Sequence, residues 1–368
     1  MKKIRLGEVA DVRISGVDKK TAPGELPIRL CNYTDVYYNW TIRPTMHDGF
    51  MVASAKEDEI TKFRLLAGQV VMTKDSETRD DIGHTAFVSS DFEDVILGYH
   101  CALISPQNGV LDGCYLNALF RTRHIADYLA RNAGGSGQRY YLSESAIRDV
   151  PLCLPPYDAQ LRIAGVLGSI DEKIELNRKK IAELEALAKT IYVQYVAAKQ
   201  CTFTTVGKEV SVVTGKRDSN FATADGGYRF FTCSKERLMC DEYEFEGKAI
   251  LLSGNGDLHA KFYSGKFNAY QRTYVLIPRK DALFSSMYFA VQSTLTRLTS
   301  GAAGSIVKFI TKGDVENIVV PEFSSDIQKV LNNVFDDILS TESEIEVLIK
   351  GRDALLPLLM NGQVEVAG

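Results

Sequence analysis

Four short segments of this 368-residue chain combine glycines with basic, amide and hydroxyl side chains. Such side chains can pair with the edges of nucleic-acid bases, and lysine, arginine and backbone N–H groups can bind phosphates. The segments are 74–79, 134–140, 253–261 and 301–308. The candidate binding residues in them are Lys74, Ser76, Arg79, Ser136, Gln138, Arg139, Asn255, Lys261, Ser305 and Lys308. Each residue alone is also compatible with an ordinary polar surface turn, whereas the four segments as a set favour a DNA-binding role.

Catalytic alternatives find little support in the sequence. Residues 154–157, Leu-Pro-Pro-Tyr, resemble the Asp/Asn-Pro-Pro-Tyr motif of adenine methyltransferases, but leucine cannot accept a hydrogen bond from a base amino group. The Gly-Asn-Gly at 254–256 is too short for a dinucleotide site and favours a tight turn. The five histidines lack metal-ligand spacing, and neither a Walker A nor a PD-(D/E)xK nuclease pattern stands out. We therefore predict no catalytic residue, no metal site and no cofactor in this chain.

The polar segments fall at matched places in an internal repeat. The matched pairs, in chain order, are 6–12 with 206–212, 68–73 with 247–253, 99–106 with 270–278, Ser143 and Ile147 with Thr311 and Val315, and Gln160 with Gln328. Each match is weak, but their colinear order predicts two equivalent halves. Each half has short strands, a short helix (116–129 or 284–298) and a last strand ending in proline. The alternative is two unrelated α/β domains with similar strands.

A long heptad pattern follows each half. Apolar residues recur at alternating spacings of four and three from Ile163 to Tyr195 and from Ile327 to Leu359. Helices of about 35–40 residues would be ~50–60 Å long, and each seam favours the other helix as its antiparallel partner. Asn177 and Thr341 occupy the middle of the two seams, so we expect them to meet and fix the register; otherwise each faces solvent. Gly351 and Pro357 are expected to fray or kink the second helix.

Together these patterns predict an α+β fold. Two repeated β-rich α/β heads are separated by a long antiparallel two-helix coiled coil. The predicted domains are the first head at 1–155, the first long helix at 156–200, the second head at 201–321 and the second long helix at 322–368.

Charge and cysteine usage restrict the setting. The formal net charge is −4, but residues 322–368 carry nine acidic and three basic side chains, which leaves +2 for the rest of the chain. That remainder can still present a basic face to phosphates. Seven cysteines without a Cys-x-x-Cys pair predict free thiols in a reducing cytoplasm. The sequence contains neither a signal-peptide pattern nor an apolar run long enough to span a membrane.

The junctions between these parts resemble a known family, the specificity subunits of type I restriction-modification enzymes. The stretch 150–192, with LPPYDAQ and DEKIELNRKK, resembles that family's central conserved region. LLPLLMNGQVEV at 355–366 resembles its closing signature, and LGEVADVRISG at 6–16 resembles the opening of a target-recognition domain. VVPEFSSDIQKV at 319–330 departs from the pattern by lacking the second proline pair. The resemblance covers nearly the whole chain.

The resemblance implies a non-catalytic, DNA-reading function. Each head would read one half of a split double-stranded DNA target. The helix pair would space the heads and dock two methyltransferase (modification) subunits, which a motor-nuclease (restriction) subunit can join. S-adenosylmethionine and ATP would belong to those partners. Two alternatives stay open, a stand-alone DNA methyltransferase or nuclease fused to a reader, and a coiled-coil adaptor that does not bind DNA.

Overall fold

The computed structural model of the protein describes residues 2–135, 137–223, 226–234, 236, 238–299 and 309–366. The chain divides into two compact units. The first unit is Met1–Glu175 together with Glu346–Gly368, and the second unit is Leu176–Ile345.

The first unit is built around one mixed sheet. Its strands β1 to β13 are Lys2–Arg5, Ala10–Ile14, Leu26–Cys31, Thr41–Ile42, Met51–Ala55, Val70–Thr73, Asp75–Ser76, Thr85–Val88, Val95–Leu97, Cys101–Pro106, Gly134–Gly135, Tyr140–Tyr141 and Pro151–Leu154. Its helices α1 to α5 are Tyr33–Tyr37, Glu57–Phe63, Gly113–Phe120, Arg123–Asn132 and Glu144–Arg148. The main sheet has the order β2-β10-β6-β8-β4, and smaller sheets have the orders β5-β3-β9, β11-β12-β7 and β1-β13. The four residues of β6 are all buried, which explains their unbroken apolar run.

The second unit repeats this plan with fewer additions. Helix α6, Tyr157–Ala197, begins in the first unit and belongs to the second from Leu176 onward. The strands β14 to β21 of the second unit are Thr202–Thr205, Val213–Thr214, Tyr228–Phe231, Leu238–Cys240, Phe245–Ser253, Ala260–Ala269, Thr273–Leu276 and Val319–Glu322. Helices α7 to α10 are Val206–Glu209, Phe284–Thr299, Lys312–Glu316 and Ser325–Met360, and the last of them belongs to the first unit from Glu346 onward. The main sheet has the order β15-β20-β18-β19-β16-β17, and β14 pairs with β21.

Strand order and direction confirm the internal repeat. In both units three antiparallel pairings are followed by a parallel one, through β2-β10-β6-β8-β4 in the first and β15-β20-β18-β19-β16 in the second. The first and last strands of each head also pair, as β1 with β13 and β14 with β21. The first unit adds the sheet β5-β3-β9, which accounts for the extra residues before its β6.

Two of the residue pairs matched in the sequence make the same contacts in both halves. A Cβ atom on Gly7 would lie 3.0 Å from the Cβ of Arg148, and one on Gly207 would lie 2.9 Å from the Cβ of Glu316. Both glycines therefore let the opening turn of a head pack closely on its last short helix. Ser143 and Thr311 cap those short helices, each by accepting from a backbone N–H three residues later.

Two helix predictions from the sequence were wrong. Residues 116–129 do not form one helix, because Thr122 takes an extended backbone that ends α3 and caps the start of α4. The predicted fraying of α10 at Gly351 or Pro357 is wrong as well, because the helix continues to Met360, whereas the alternative of a kink there stays a prediction. Leu356 and Leu359 of that last stretch are buried against Trp40 and Leu167, and tertiary packing of this kind outweighs local propensity.

The predicted seams are the core-facing stripes of the long helices. In the second unit Ala188 and Tyr192 of α6 share a core with Leu331 and Val334 of α10. In the first unit Leu167, near the start of α6, packs in one cluster with Leu359, near the end of α10. The start of one helix thus meets the end of the other, as an antiparallel pair requires.

The two polar seam residues are both buried, which excludes the solvent-facing alternative. The hydroxyl of Thr341 donates to the Asp337 carbonyl oxygen at 2.6 Å. The Nδ2 atom of Asn177 is buried and has no hydrogen-bond partner among the described residues. Their meeting across the helix pair stays a prediction.

Three further features concern the cysteines, the helices and the side chains that could bind a metal. All seven cysteines are free thiols. Within the described ranges, no helix is long and apolar enough to cross a membrane. The same part of the chain contains no group of three or more histidine, cysteine or carboxylate side chains placed to hold a metal ion.

Candidate nucleic-acid interface

The two polar segments of the first unit lie side by side. Strand β12 pairs with β7 in the first segment and with β11 in the second, so that Ser76 stands opposite Tyr140. Arg79, Gln138 and Arg139 are exposed on these segments, whereas Lys74 and Ser76 are largely buried. Ser136 lies outside the described residues. The structure therefore brings together residues that the sequence placed about 60 positions apart, a spacing that local patterns cannot bridge.

A buried carboxylate organises this surface. The Oδ2 atom of Asp75 accepts from Lys74 Nζ at 3.0 Å and lies 2.5 Å from His100 Nδ1. The Nη2 atom of Arg139 lies 2.8 Å from the same histidine nitrogen and 4.0 Å from Asp75 Oδ2. The Arg139 side chain is still 60% exposed. Asp75 and His100 thus hold one edge of the Arg139 guanidinium, while most of that side chain stays exposed.

Sequence reasoning missed both of these positioning residues. Asp75 lies inside a predicted binding segment, but an acidic side chain is a poor candidate for contact with DNA. His100 carries a φ of 72°, a left-handed conformation that is uncommon for residues other than glycine. Backbone strain of this kind is often found at functional sites, but no sequence pattern reveals it.

Aromatic rings support further cations of the first unit. The guanidinium carbon of Arg79 lies 4.9 Å from the centre of the Tyr140 ring, and Lys74 Nζ lies 5.7 Å from that of Tyr99. Cation–π contacts of this type hold a long side chain without neutralising its charge. The exposed Arg79 therefore stays available to an anionic ligand, whereas Lys74 is largely buried and already pairs with Asp75.

A cavity of about 630 Å³ opens beside Arg139. Its lining comprises Tyr33, Thr34, Tyr37, Tyr38, Asp75, Ser76, Glu77, Thr78, Asp81, His100, Gln138 and Arg139. The Tyr37 hydroxyl donates to Asp81, and burial together with that carboxylate raises the pKa of Tyr37 to about 12. The phenol is therefore neutral and a donor at physiological pH. The tyrosines of α1 were not predicted, because the strand and turn patterns used for the sequence carry no signal for them.

The segment 253–261 of the second unit forms the tip of the β18–β19 hairpin, as the predicted tight turn requires. Gly256 has a φ of 73°, and Asn255 forms an isolated antiparallel bridge with Phe309. Lys261 lies on β19, where its ammonium group donates to the Ser234 carbonyl oxygen at 2.5 Å. Ser305 and Lys308 lie outside the described residues.

The same arrangement of backbone hydrogen bonds, here called the frame, holds one polar segment in each unit. We call these two segments, 74–83 and 254–258, the reading segments. Thr73 N donates to His84 O at 2.8 Å in the first unit, and Ser253 N donates to His259 O at 3.0 Å in the second. The hydroxyls of Thr73 and Ser253 also accept from the backbone N–H of these histidines. The segments between are 74–83 and 254–258, so one frame carries insertions of different length and composition.

Two repeated heads, each presenting polar segments on a common frame and each followed by a long helix, define a class of duplicated α+β binding proteins. Residues 1–186 match the family model described as the type I restriction modification DNA specificity domain. The chain belongs to that family.

Individual relatives agree with this assignment. The chain is 35% identical over 169 residues to the type I restriction enzyme EcoDI specificity subunit of Escherichia coli, a match that covers 43% of this chain and 37% of that protein. It is 20% identical over 365 residues to the putative type I restriction enzyme MjaX specificity subunit of Methanocaldococcus jannaschii, covering 86% and 83%. The crystal structure of the type I restriction-modification S subunit from M. genitalium shares the fold, with a TM-score of 0.57, 13% identity and coverage of 97% and 95%.

Proposed function

We propose that this chain is the DNA-recognition subunit of a type I restriction-modification complex and that it reads a split double-stranded target, one half with each head. The observation that carries the proposal is the frame shared by the two heads, on which the first presents Arg79, Gln138 and Arg139 and the second presents Asn255. Arginine, glutamine and asparagine are the side chains that make bidentate contacts with guanine and adenine. Different segments on equal frames suit two different half-sites.

The chain is proposed to act without catalysing a reaction. Cofactor chemistry, with S-adenosylmethionine and ATP, would then belong to two methyltransferase subunits and to motor-nuclease subunits that join them. A stand-alone methyltransferase or nuclease would need reacting groups that the motifs of this chain do not provide. A coiled-coil adaptor would need no matched frames with guanidinium and amide groups at their tips.

Reversing the charge of Arg139 tests DNA binding at this site. In Arg139→Glu we expect the complex assembled with its modification subunits to bind target DNA roughly tenfold more weakly, with a salt slope smaller in magnitude by about 1, because one phosphate-facing or base-facing cation is lost. The measurement is a fluorescence-anisotropy titration of a labelled target duplex at several salt concentrations. Arg64→Glu is the matched control, because Arg64 is exposed on the same unit but borders the sheet β5-β3-β9. Equal titrations for Arg139→Glu and wild type would exclude this surface from DNA binding.

The long helices offer surfaces for the modification subunits. On α6, Leu176 and Leu187 are 57% and 50% exposed, and on α10 Val347 and Leu358 are also exposed. Each pair is separated by 11 residues, which is three helical turns and places both side chains on one face. Each helix therefore exposes a pair of apolar side chains on one outer face, which we call its outer strip, in addition to its buried seam; on α6 the charged Lys180 and Glu183 lie between the two leucines. Two such strips match the two docked subunits of the proposal.

Glutamates on one strip should prevent docking. We expect the double variant Leu176→Glu/Leu187→Glu to lose co-purification with the modification subunit, a weakening of roughly 100-fold, because burial of each leucine contributes about 1.5–3 kcal/mol. The control is Arg178→Glu/Lys189→Glu, an exposed pair with the same spacing on another face of α6. If the control loses the partner and the leucine variant keeps it, docking uses a different face.

A further inference from the structure

The shared frame allows the two heads to be aligned residue by residue at their tips. Lys74 N donates to His100 O at 2.9 Å, and Gly254 N donates to Arg272 O at 2.8 Å. Strand pairing continues the match, since Cys101 lies opposite Thr73 and Thr273 lies opposite Ser253. His100 of the first head and Arg272 of the second therefore occupy the same backbone position.

A second pair of bonds extends this alignment. Leu142 N donates to Lys74 O at 2.7 Å, and Ile310 N donates to Gly254 O at 3.0 Å. The residues one step further are paired in the same way, Asp75 with Tyr141 and Asn255 with Phe309. Asp75 and Asn255 are thus equivalent, and the carboxylate of one head is replaced by an amide in the other.

In both heads an arginine is present at this aligned position, but the two arginines come from different parts of the sequence. In the first head the position holds His100, and the Arg139 guanidinium lies against its imidazole with Nη2 2.8 Å from Nδ1. In the second head Arg272 itself stands at that position, with an exposed side chain. Arg139 comes from the segment between β11 and β12, whereas Arg272 precedes β20, so their sequence positions do not correspond. Both heads nevertheless bring an arginine to this position of the frame, because Arg139 reaches His100 with its guanidinium and Arg272 occupies the position itself.

We infer that Arg139 and Arg272 are equivalent specificity-determining residues, each of which reads one guanine in its own half of the target. The inference rests on the proposed function. A guanidinium donates two parallel hydrogen bonds to the O6 and N7 atoms of guanine in the major groove, the commonest specific contact to a base. The same fork can bind two phosphate oxygens, which would position the protein but carry no sequence information.

The surroundings of both arginines favour base reading. Asp75 and His100 fix the orientation of the Arg139 fork, and a pair of parallel bonds to the edge of one base requires such a fixed orientation. Beside Arg272 the turn comes close to the backbone, since a Cβ atom on Gly254 would lie 2.5 Å from Arg272 O. Glycine at 254 permits this close approach of the two backbones, and Arg272 itself stays exposed.

Lysine substitutions separate the two roles of arginine. The full chain, assembled with its modification subunits, would be presented with a pool of randomised duplexes, and the bound duplexes would be sequenced. We expect wild type to select two specific blocks around an unspecific spacer, with a guanine in each. Arg139→Lys and Arg272→Lys keep the positive charge but lose the fork. Each should lower the preference for one G·C pair roughly tenfold or more, in different blocks, while the other positions stay unchanged.

Exposed arginines elsewhere provide the controls. Arg64→Lys in the first unit and Arg279→Lys in the second should select the wild-type sequence. If the lysine variants at 139 and 272 keep the full preference for guanine, or if they bind all sequences more weakly by the same factor, the guanine assignment is overturned. If wild type itself selects no sequence, the proposed function fails and this inference fails with it.

Discussion

Asp171→Asn is expected to destabilise the first unit by about 3–5 kcal/mol, the range found when one partner is removed from a buried ion pair. The Asp171 side chain is 8% exposed. Its Oδ2 atom accepts from the Thr41 hydroxyl at 2.7 Å and pairs with Arg43, and its Oδ1 atom lies 3.8 Å from Arg352 Nη1. An amide of the same shape keeps the packing but leaves two largely buried guanidinium groups without this carboxylate.

A third arginine, Arg121, increases the destabilisation that we expect for Asp171→Asn. Trp40 lies between Arg121 and Arg352, whose guanidinium carbons are 4.4 and 4.2 Å from its ring centre. Burial and, to a smaller extent, the charge of Arg352 together lower the pKa of Arg121 to about 10. Arg121 is still charged at pH 7, so Asp171 is the buried anion among three cations. Without its charge, repulsion between them is no longer offset.

The single tryptophan makes this prediction easy to measure. Trp40 is the only tryptophan of the chain and lies inside the cluster, so its fluorescence during urea unfolding reports on the first unit. Asp353→Asn is the matched control, because Asp353 bonds Arg352 at 3.0 Å but its side chain is 57% exposed, and exposed pairs contribute about 0–1 kcal/mol. Equal unfolding midpoints for Asp171→Asn and Asp353→Asn would show that the cluster does not stabilise the unit.

The same cluster shows what the sequence could and could not predict. The heptads predicted both long helices, and the spacing of the second one also falls on Arg352, a charged residue for which an apolar seam offers no explanation. The structure provides one, since Arg352 stacks on Trp40 rather than on an apolar partner. Residues 40, 121, 171 and 352 are brought together by the fold alone, and no periodicity links them. Periodic patterns report which face is buried but not what that face meets.

The candidate interface, like the cluster around Trp40, was predicted from the sequence only in part. The repeat predicted where the reading segments would lie, because the pairs 68–73 with 247–253 and 99–106 with 270–278 are the strands of the frame itself. Asp75 and His100 were missed, because their role depends on contacts between strands that are distant in sequence. Arg272 was missed because its equivalence with His100 is visible only in backbone hydrogen bonds. Residue composition therefore predicts which segments face the ligand, whereas the backbone hydrogen bonds show which residues of the two heads are equivalent.

The second large effect is expected in the core of the other unit, where Phe335→Ala should cost about 3–5 kcal/mol, the usual range for removing a buried phenylalanine ring. Phe335 of α10 is buried. Its ring centre lies 5.0 Å from that of Phe262 on β19 and 5.4 Å from that of Tyr288 on α8. Truncation leaves a cavity between three elements that rigid rings cannot refill.

Loss of the Phe335 ring should also destabilise the hairpin that carries the reading segment, because β19 is packed against this ring. Phe262 follows Lys261 directly on that strand, and the β18–β19 hairpin carries Asn255 at its tip. We therefore expect amide hydrogen exchange in β18 and β19 to accelerate by roughly 100-fold in Phe335→Ala, because opening free energies fall with the stability of the packed core. Val330→Ala on the same helix is the control, since Val330 is exposed and its truncation should leave exchange unchanged. Equal exchange in the two variants would mean that the hairpin is held by its own strand pairing, with α10 contributing little.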